Sequence, residues 1–268
     1  ELESVAVSVP ELALKLAEKF WPGPLTMILP KHPSIPTITS GGLDTVGVRM
    51  PSHLVARKLI ELSGVPIAAP SANISGYPSP TTAQHVMRDM HGKIAAVVDG
   101  GDCCVGVEST VIALEGEDSV RILRPGYVTK EMLETVVPHV TLDKAILHQL
   151  QEGQIVRSPG MKYQHYSPHA HVTLIEGRWP EFAAWVQQHA EAGTYALVFD
   201  GEGADLSVPY LTYGTGDAEQ AHQVFAKLRE LDDIGAKRVF VRAPNPNGIG
   251  LAVYNRLIRA AGFEVIQV

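Results

Sequence analysis

The sequence predicts an α/β protein in two parts, an α+β domain on a twisted mixed sheet followed by a smaller α/β domain. Three observations carry this reading. Before residue 142, strand-like and helix-like runs mix without strict alternation. From His171 onward they alternate regularly, as in an open and largely parallel sheet. Between them lies a stretch with no sustained periodicity. A chain of 268 residues is comfortable for two hydrophobic cores. We therefore divide it into residues 1–142, a linker over 143–169, and residues 170–268.

The elements follow in order. Ser8-Val9-Pro10-Glu11 reads as a capping box, and Leu12, Leu16 and Phe20 then recur at four-residue intervals on one helical face. Trp21-Pro22-Gly23-Pro24 stops that helix, because proline removes backbone donors and Gly23 frees the chain. An apolar strand over Leu25–Leu29 comes next. Further strands are expected at Thr45–Arg49, Pro66–Ala69, Ala95–Asp99, Ser109–Leu114 and Arg121–Leu123. Helices are expected over Leu54–Ser63, over Ala83–His91 behind a Thr81/Thr82 cap, and from the Thr129 cap through Val137.

The stretch 139–169 contains Gly153, Ser158-Pro159-Gly160 and Ser167-Pro168, with histidines at 139, 148, 165 and 169. Its composition is that of a linker, yet Lys162-Tyr163-Gln164-His165-Tyr166 is more aromatic and basic than a flexible tether. Long ordered connections are often functional. Beyond it, strands at Val172–Ile175, Tyr195–Phe199, Arg238–Val241 and Glu264–Gln267 alternate with helices near Pro180–Ala190, Ala218–Leu231 and Gly250–Ala260. This second domain is Rossmann-like in its alternation but carries no G-x-G-x-x-G fingerprint.

Composition narrows the function classes. Hydrophobic residues at 45% and charged residues at 19% describe a globular chain rather than a disordered one. A net charge of −7 argues against holding nucleic acid by electrostatics alone. Only 143–169 is locally basic, with 3 Lys/Arg against 2 Asp/Glu. The two cysteines, Cys103 and Cys104, are neighbours, which suits neither a zinc site nor an unstrained disulfide. Reduced thiols, no secretory signal and no apolar run of about 18 residues point to the cytoplasm and away from a membrane. The chain starts at Glu1, without methionine, and reaches its first helix almost at once, which reads as an interior starting point.

Four motifs could carry chemistry, and each alone has a plain structural explanation. Arg49, at a strand end in Val48-Arg49-Met50-Pro51-Ser52-His53, offers a bidentate fork to a carboxylate or phosphate. Pro70-Ser71-Ala72-Asn73-Ile74-Ser75-Gly76 places small hydroxyl and amide groups in a tight loop where a ligand could sit. Glu108-Ser109-Thr110-Val111 brings a hydroxyl pair into a strand, and Arg124-Pro125-Gly126 sets an arginine before a turn. No triad, P-loop or metal motif is visible, and Ser167-Pro168 breaks the helix that would pair His165 with His169. The implied chemistry is the positioning of anions.

In order and spacing these motifs, together with Trp21-Pro22-Gly23-Pro24-Leu25-Thr26, resemble the YrdC-type L-threonylcarbamoyladenylate synthases. Ser158 through Pro168 is similar to the interdomain linker of the long two-domain form, and Leu251-Ala252-Val253-Tyr254-Asn255-Arg256-Leu257 resembles the last helix of its C-terminal domain. The resemblance implies a YrdC-like catalytic domain at 1–142. It implies an enzyme that makes L-threonylcarbamoyladenylate and pyrophosphate from L-threonine, bicarbonate and ATP. The product would pass to a threonylcarbamoyl transferase complex that modifies a tRNA adenosine (t6A37), with direct tRNA contact left open.

Residue by residue, the resemblance implies that Arg49 and Ser109 bind threonine, with Arg49 on its carboxylate. Ser71, Asn73 and Arg124 would line the nucleotide and phosphate region, and Tyr163, His165 and Tyr166 of the linker would fold over it as a lid. No side chain is assigned as a nucleophile, and Mg²⁺ is expected on the triphosphate, held by substrate oxygens and water. The family's opening strand–helix–strand segment, with its Thr and Lys-x-Arg contacts, has no match here, so this polypeptide alone is expected to be a poor catalyst. The competing reading is a non-catalytic nucleotide- or RNA-binding module of the same fold. A weaker third reading is a carbamoyl-transfer protein using carbamoyl phosphate.

Overall fold

The computed structural model describes residues 2–148 and 165–268. They fall into two compact units, one of residues 2–70 and 108–146, the other of residues 71–107, 147–148 and 165–268.

In the first unit, α1 (Glu11–Phe20) buries Leu12, Ala13 and Leu16, the stripe expected from the periodicity. Each buried leucine contributes about 1.5–3 kcal/mol by leaving water. The expected capping box at Ser8 and Glu11 is not formed. Pro10 is the N-cap, which makes Glu11 the first helical residue, and its carboxylate pairs with Lys15 at 2.8 Å. Strands β1 (Leu25–Pro30) and β2 (Thr45–Val48) and helix α2 (Leu54–Ser63) follow. Gly64 closes α2 in the left-handed conformation, as a C-terminal glycine commonly does. None of the α2 residues is buried.

In the second unit, α3 (Ala83–Met90) begins at Thr82, whose hydroxyl accepts from the His85 N–H at 3.2 Å. Two expected strands are absent. Pro66–Ala69, at the end of the first unit's opening segment, and Ala95–Asp99, in the second unit, are coil, and Val65, Ile67, Ile94 and Val98 are exposed. A short apolar run becomes a strand only when another backbone satisfies its N–H and C=O groups, and among the described residues neither run has such a partner.

The chain returns to the first unit with β3 (Thr110–Leu114), β4 (Ser119–Arg124), α4 (Lys130–Glu134) and β5 (His139–Leu142). Thr129 caps α4 as expected, but the helix ends at Glu134, before the expected Val137. Strand β5 was not expected; it pairs parallel to β4 inside the stretch that composition assigns to loop. The sheet runs β2-β1-β3-β4-β5 and is mixed. The β1–β2 and β3–β4 pairs are antiparallel, whereas β1–β3 and β4–β5 are parallel.

The remainder of the second unit alternates. Strand β6 (His171–Glu176), helix α5 (Trp179–His189) and strands β7 (Thr194–Val198) and β8 (Tyr210–Thr212) come first. Helix α6 (Asp217–Asp233), β9 (Arg238–Arg242), α7 (Gly250–Ala260) and β10 (Val265–Gln267) complete it. The sheet order is β10-β6-β9-β7-β8 with every pair parallel, so the expected open parallel sheet is present, with the short β8 added at its edge. Its core joins Leu174, Leu197, Val239 and Val241 of the strands to Val224, Phe225 and Leu228 of α6. Helix α7 is buried along its whole length. Cys103 and Cys104 are free and exposed. No helix among the described residues is long and apolar enough to cross a membrane.

Candidate active site

In the first unit, three strand ends converge on one polar centre. Ser109 immediately precedes β3, and Thr26 lies on β1, the parallel neighbour of β3. Their hydroxyls are 2.8 Å apart. Arg124 ends β4, on the other side of β3. It donates from Nε and Nη2 to the Ser109 carbonyl at 3.2 and 3.0 Å, and from Nη2 to the Ser109 hydroxyl at 3.2 Å. All these acceptors are neutral, so the guanidinium charge of Arg124 is not cancelled by them.

Arg49 follows β2, and no hydrogen bond or ion pair joins its side chain to another described residue. Although the residue is exposed overall, its guanidinium is crowded. Desolvation, and then the positive charge of Arg124, press its pKa below the ordinary arginine value. Two guanidinium groups that feel each other form a site that an anion would stabilise.

A single turn holds the pieces in register. The Gly23 N–H donates to the Met50 carbonyl at 2.9 Å, and the Pro24 carbonyl accepts from the Thr110 N–H at 2.9 Å. The indole of Trp21 donates to the Leu25 carbonyl at 2.7 Å. The Trp21–Pro24 turn thus ties the residue after Arg49 to the residue after Ser109. Gly126 explains the turn that follows Arg124: a Cβ there would stand 2.5 Å from the Thr110 nitrogen and 2.6 Å from the Glu108 carbonyl oxygen. Only glycine lets the 124–126 turn lie against the entry to β3.

The second unit contains the Ser71–Gly76 loop. Ala72 adopts φ +54°, a left-handed conformation that costs an L-residue free energy and persists where neighbours over-determine it. The Asn73 amide donates to the carbonyls of Ile74 at 2.8 Å and Tyr77 at 3.1 Å, while its own oxygen is buried with no partner among the described residues. Ser71 is exposed. The Gly76 carbonyl accepts from the Ser167 N–H at 2.9 Å, and the Tyr77 ring meets that of His169 edge-on at 4.9 Å.

Tyr166 is 4% exposed, has φ +63°, and packs on Phe225 with ring centroids 5.1 Å apart. The Arg256 guanidinium stands 5.6 Å from the same ring. His165 is half-buried, 5.3 Å from Tyr166. Tyr163 lies outside the described residues.

Two family models match the chain. The Sua5/YciO/YrdC model, described as telomere recombination, matches residues 1–126. The model described as the C-terminal domain of threonylcarbamoyl-AMP synthase matches residues 128–262. The threonylcarbamoyl-AMP synthase of Pyrococcus abyssi is 42% identical over 100% of this chain and 79% of its own length. The chain belongs to the threonylcarbamoyl-AMP synthase family.

The Bacillus subtilis member of this synthase family is 41% identical over 100% of the chain and 78% of its own length. The crystal structure of Pyrococcus abyssi Sua5 complexed with L-threonine superposes with a TM-score of 0.91 at 42% identity, covering 100% of this chain and 78% of that one. A solved variant of the Pyrococcus abyssi protein with an adjacent histidine and tyrosine replaced by alanine also reaches a TM-score of 0.91.

Within this synthase fold, the expected Arg49, Ser109 and Arg124 share the first unit, while Ser71, Asn73, His165 and Tyr166 belong to the second. Sequence reasoning missed Thr26, which lies in Trp21-Pro22-Gly23-Pro24-Leu25-Thr26. It also missed the buried ion pair of Arg229 on α6 with Asp89 on α3. Arg229 had a signal: it falls one helical turn after Phe225, on the apolar stripe of α6. Among the described residues no cluster of three His, Cys, Asp or Glu could hold a metal ion.

Proposed function

We propose that this protein makes L-threonylcarbamoyladenylate and pyrophosphate from L-threonine, bicarbonate and ATP. Family membership supports the reaction, and the observation that carries the site is Arg49, without an anionic partner among the described residues and destabilised as a cation first by desolvation and then by Arg124. In this reading Arg49 takes the threonine carboxylate with Ser109 beside it. Arg124 holds the Ser109 backbone and lends positive charge toward the phosphates.

The threonine amine and bicarbonate first give a carbamate with loss of water. A carbamate oxygen then forms a bond to the α-phosphorus as the bond from that phosphorus to the bridging oxygen breaks, and pyrophosphate leaves. The chain's residues neutralise and orient two anions; no protein nucleophile is needed. Mg²⁺ arrives as part of the substrate, on the triphosphate oxygens.

Ser71 and Asn73 are assigned to the nucleotide, and the buried Asn73 oxygen, without a partner among the described residues, suits a donor on ribose or base. Tyr163, His165 and Tyr166 complete the assignment as the lid. His165-Tyr166 is the one His-Tyr dipeptide in this sequence, and the engineered His–Tyr pair of the Pyrococcus abyssi protein gives the assignment a point of comparison. A lid would keep water from a labile mixed anhydride. The same proposal includes the organisation 1–142, 143–169 and 170–268; the two family models, over 1–126 and 128–262, support a division into two parts. It also includes a cytoplasmic location, which suits two free thiols, and delivery of the product to a threonylcarbamoyl transferase acting on tRNA.

The test is pyrophosphate release with each substrate omitted in turn. Release that requires both L-threonine and bicarbonate is expected. ATP turnover indifferent to threonine, or salt-sensitive RNA binding with no turnover, overturns the proposal.

A further inference from the structure

A buried ion pair in the second unit reaches the Ser71–Gly76 loop from the C-terminal half of the chain. Arg229 on α6 is 2% exposed and Asp89 on α3 is 3% exposed. The pair is bidentate: Nη1 donates to Oδ1 at 3.1 Å and Nη2 to Oδ2 at 2.6 Å. The groups are not dedicated to each other. Asp89 Oδ2 also accepts from the Ile74 N–H at 3.4 Å, and Arg229 Nη2 also donates to the Pro78 carbonyl at 2.7 Å. One guanidinium–carboxylate unit therefore brackets the loop on both sides of Tyr77. Inside the bracket, the Asn73 amide bridges the Ile74 and Tyr77 carbonyls.

Burying two charges is a poor route to stability, because desolvation largely cancels their attraction and a well-packed apolar pair commonly does as well. Such pairs earn a better explanation when they hold one geometry against alternatives. Here the loop carries a left-handed alanine at 72, a conformation that relaxes unless its surroundings hold it. The bracket supplies that constraint at Ile74, two residues away. A second pair beside it, Arg88 to Asp233 at 2.6 Å, is exposed and fastens the same two helices without touching the loop.

We infer that Arg229 is a positioning residue for nucleotide binding, acting through Asp89 on the Ser71–Asn73 loop. The C-terminal half thereby sets the geometry of a loop that belongs, by family match, to the N-terminal half. The inference rests on the assignment of Ser71 and Asn73 to the nucleotide.

The experiment compares the full chain with Arg229→Lys, the double variant Arg229→Met with Asp89→Leu, and the separate variants Ser71→Ala and Asn73→Ala. Each is measured for KM of ATP, KM of threonine, kcat and thermal midpoint. The double variant strands no lone charge, so it is expected to stay folded. Its KM for ATP is expected to rise roughly ten- to a hundredfold, as displaced positioning groups cause, with the KM for threonine unchanged. Arg229→Lys, which keeps the charge but loses the fork, should fall between it and the parent. Folded variants with an unchanged KM for ATP overturn the inference. So does a fall in kcat that merely tracks the folded fraction, or loss of the fold in both Arg229 variants. If Ser71→Ala and Asn73→Ala leave ATP binding intact, the loop assignment has failed and takes this inference with it. If they weaken ATP binding while the double variant does not, only the role of Arg229 is wrong.

Discussion

Arg124 and Ser109 are joined by three hydrogen bonds, two to the serine carbonyl and one to its hydroxyl. The guanidinium therefore fixes both the backbone at the entry to β3 and the direction of the side chain that leaves it. The Thr26 hydroxyl on the opposite strand closes the arrangement. A lysine at 124 would keep the charge but could not fork. Arg124→Lys is expected to lower threonine-dependent pyrophosphate release by about ten- to a hundredfold and stability by about 1 kcal/mol. Turnover assays beside a thermal melt check both parts. Unchanged turnover would remove Arg124 from the site.

Arg49 is the opposite case, an exposed cation with no described partner. Arg49→Ala is expected to leave stability within about 0.5 kcal/mol of the parent, because no hydrogen bond or ion pair to a described residue is lost. The KM for threonine should rise roughly tenfold or more as the charge-assisted fork disappears. Titration with threonine at saturating ATP measures this directly. A variant that keeps its threonine KM shows that the carboxylate is held elsewhere.

Gly126 tests the backbone framework rather than the ligand contacts. A methyl group there meets the Thr110 nitrogen at 2.5 Å and the Ser109 carbonyl carbon at 2.8 Å, both backbone atoms that cannot swing aside. Gly126→Ala is expected to cost about 1–3 kcal/mol in urea denaturation. It should also reduce turnover beyond the loss of folded protein, since the turn it displaces carries Arg124.

His85 gives the second unit a pH dependence. Its Nδ1 accepts from the Thr81 N–H at 3.2 Å, which requires an unprotonated nitrogen there. Burial, then the charges of Arg229 and Arg88, lower its pKa, outweighing Asp233 and Asp89. A histidine with a depressed native pKa binds fewer protons folded than unfolded, so stability rises with pH. Its contribution is complete above about 6.5, the ordinary histidine value, and is lost as pH falls toward the native value. Denaturation midpoints measured on both sides of that value should drop on acidification. In His85→Asn, which keeps an acceptor near the Nδ1 position, the drop in that interval should shrink. An identical pH profile in the variant would assign the dependence to other groups.

Local pattern was sufficient where one chain segment decides its own structure. The stripe of α1, the limits of α2 and the Thr82 and Thr129 caps depend on residues within a few positions of one another, and they were legible. The alternation after His171 also survived, because each strand and helix there carries its own apolar face. Pro66–Ala69 and Ala95–Asp99 have equally strand-like composition but no described partner, while β5 has weak composition and β4 beside it. Strand formation is a property of two segments, and periodicity reports only one.

The same division runs through the site. The residue types alone pointed to the positioning of anions, with arginines at strand ends, hydroxyl pairs, and a turn rich in proline and glycine. Their order determined the family. Tertiary structure alone decided that Ser109 meets Thr26 from 83 residues away, that Arg49 feels Arg124, and that Arg229 holds Asp89 across 140 residues. Contacts at such separations depend on which segments the fold brings together after paying loop-closure entropy, and no local spacing encodes that outcome.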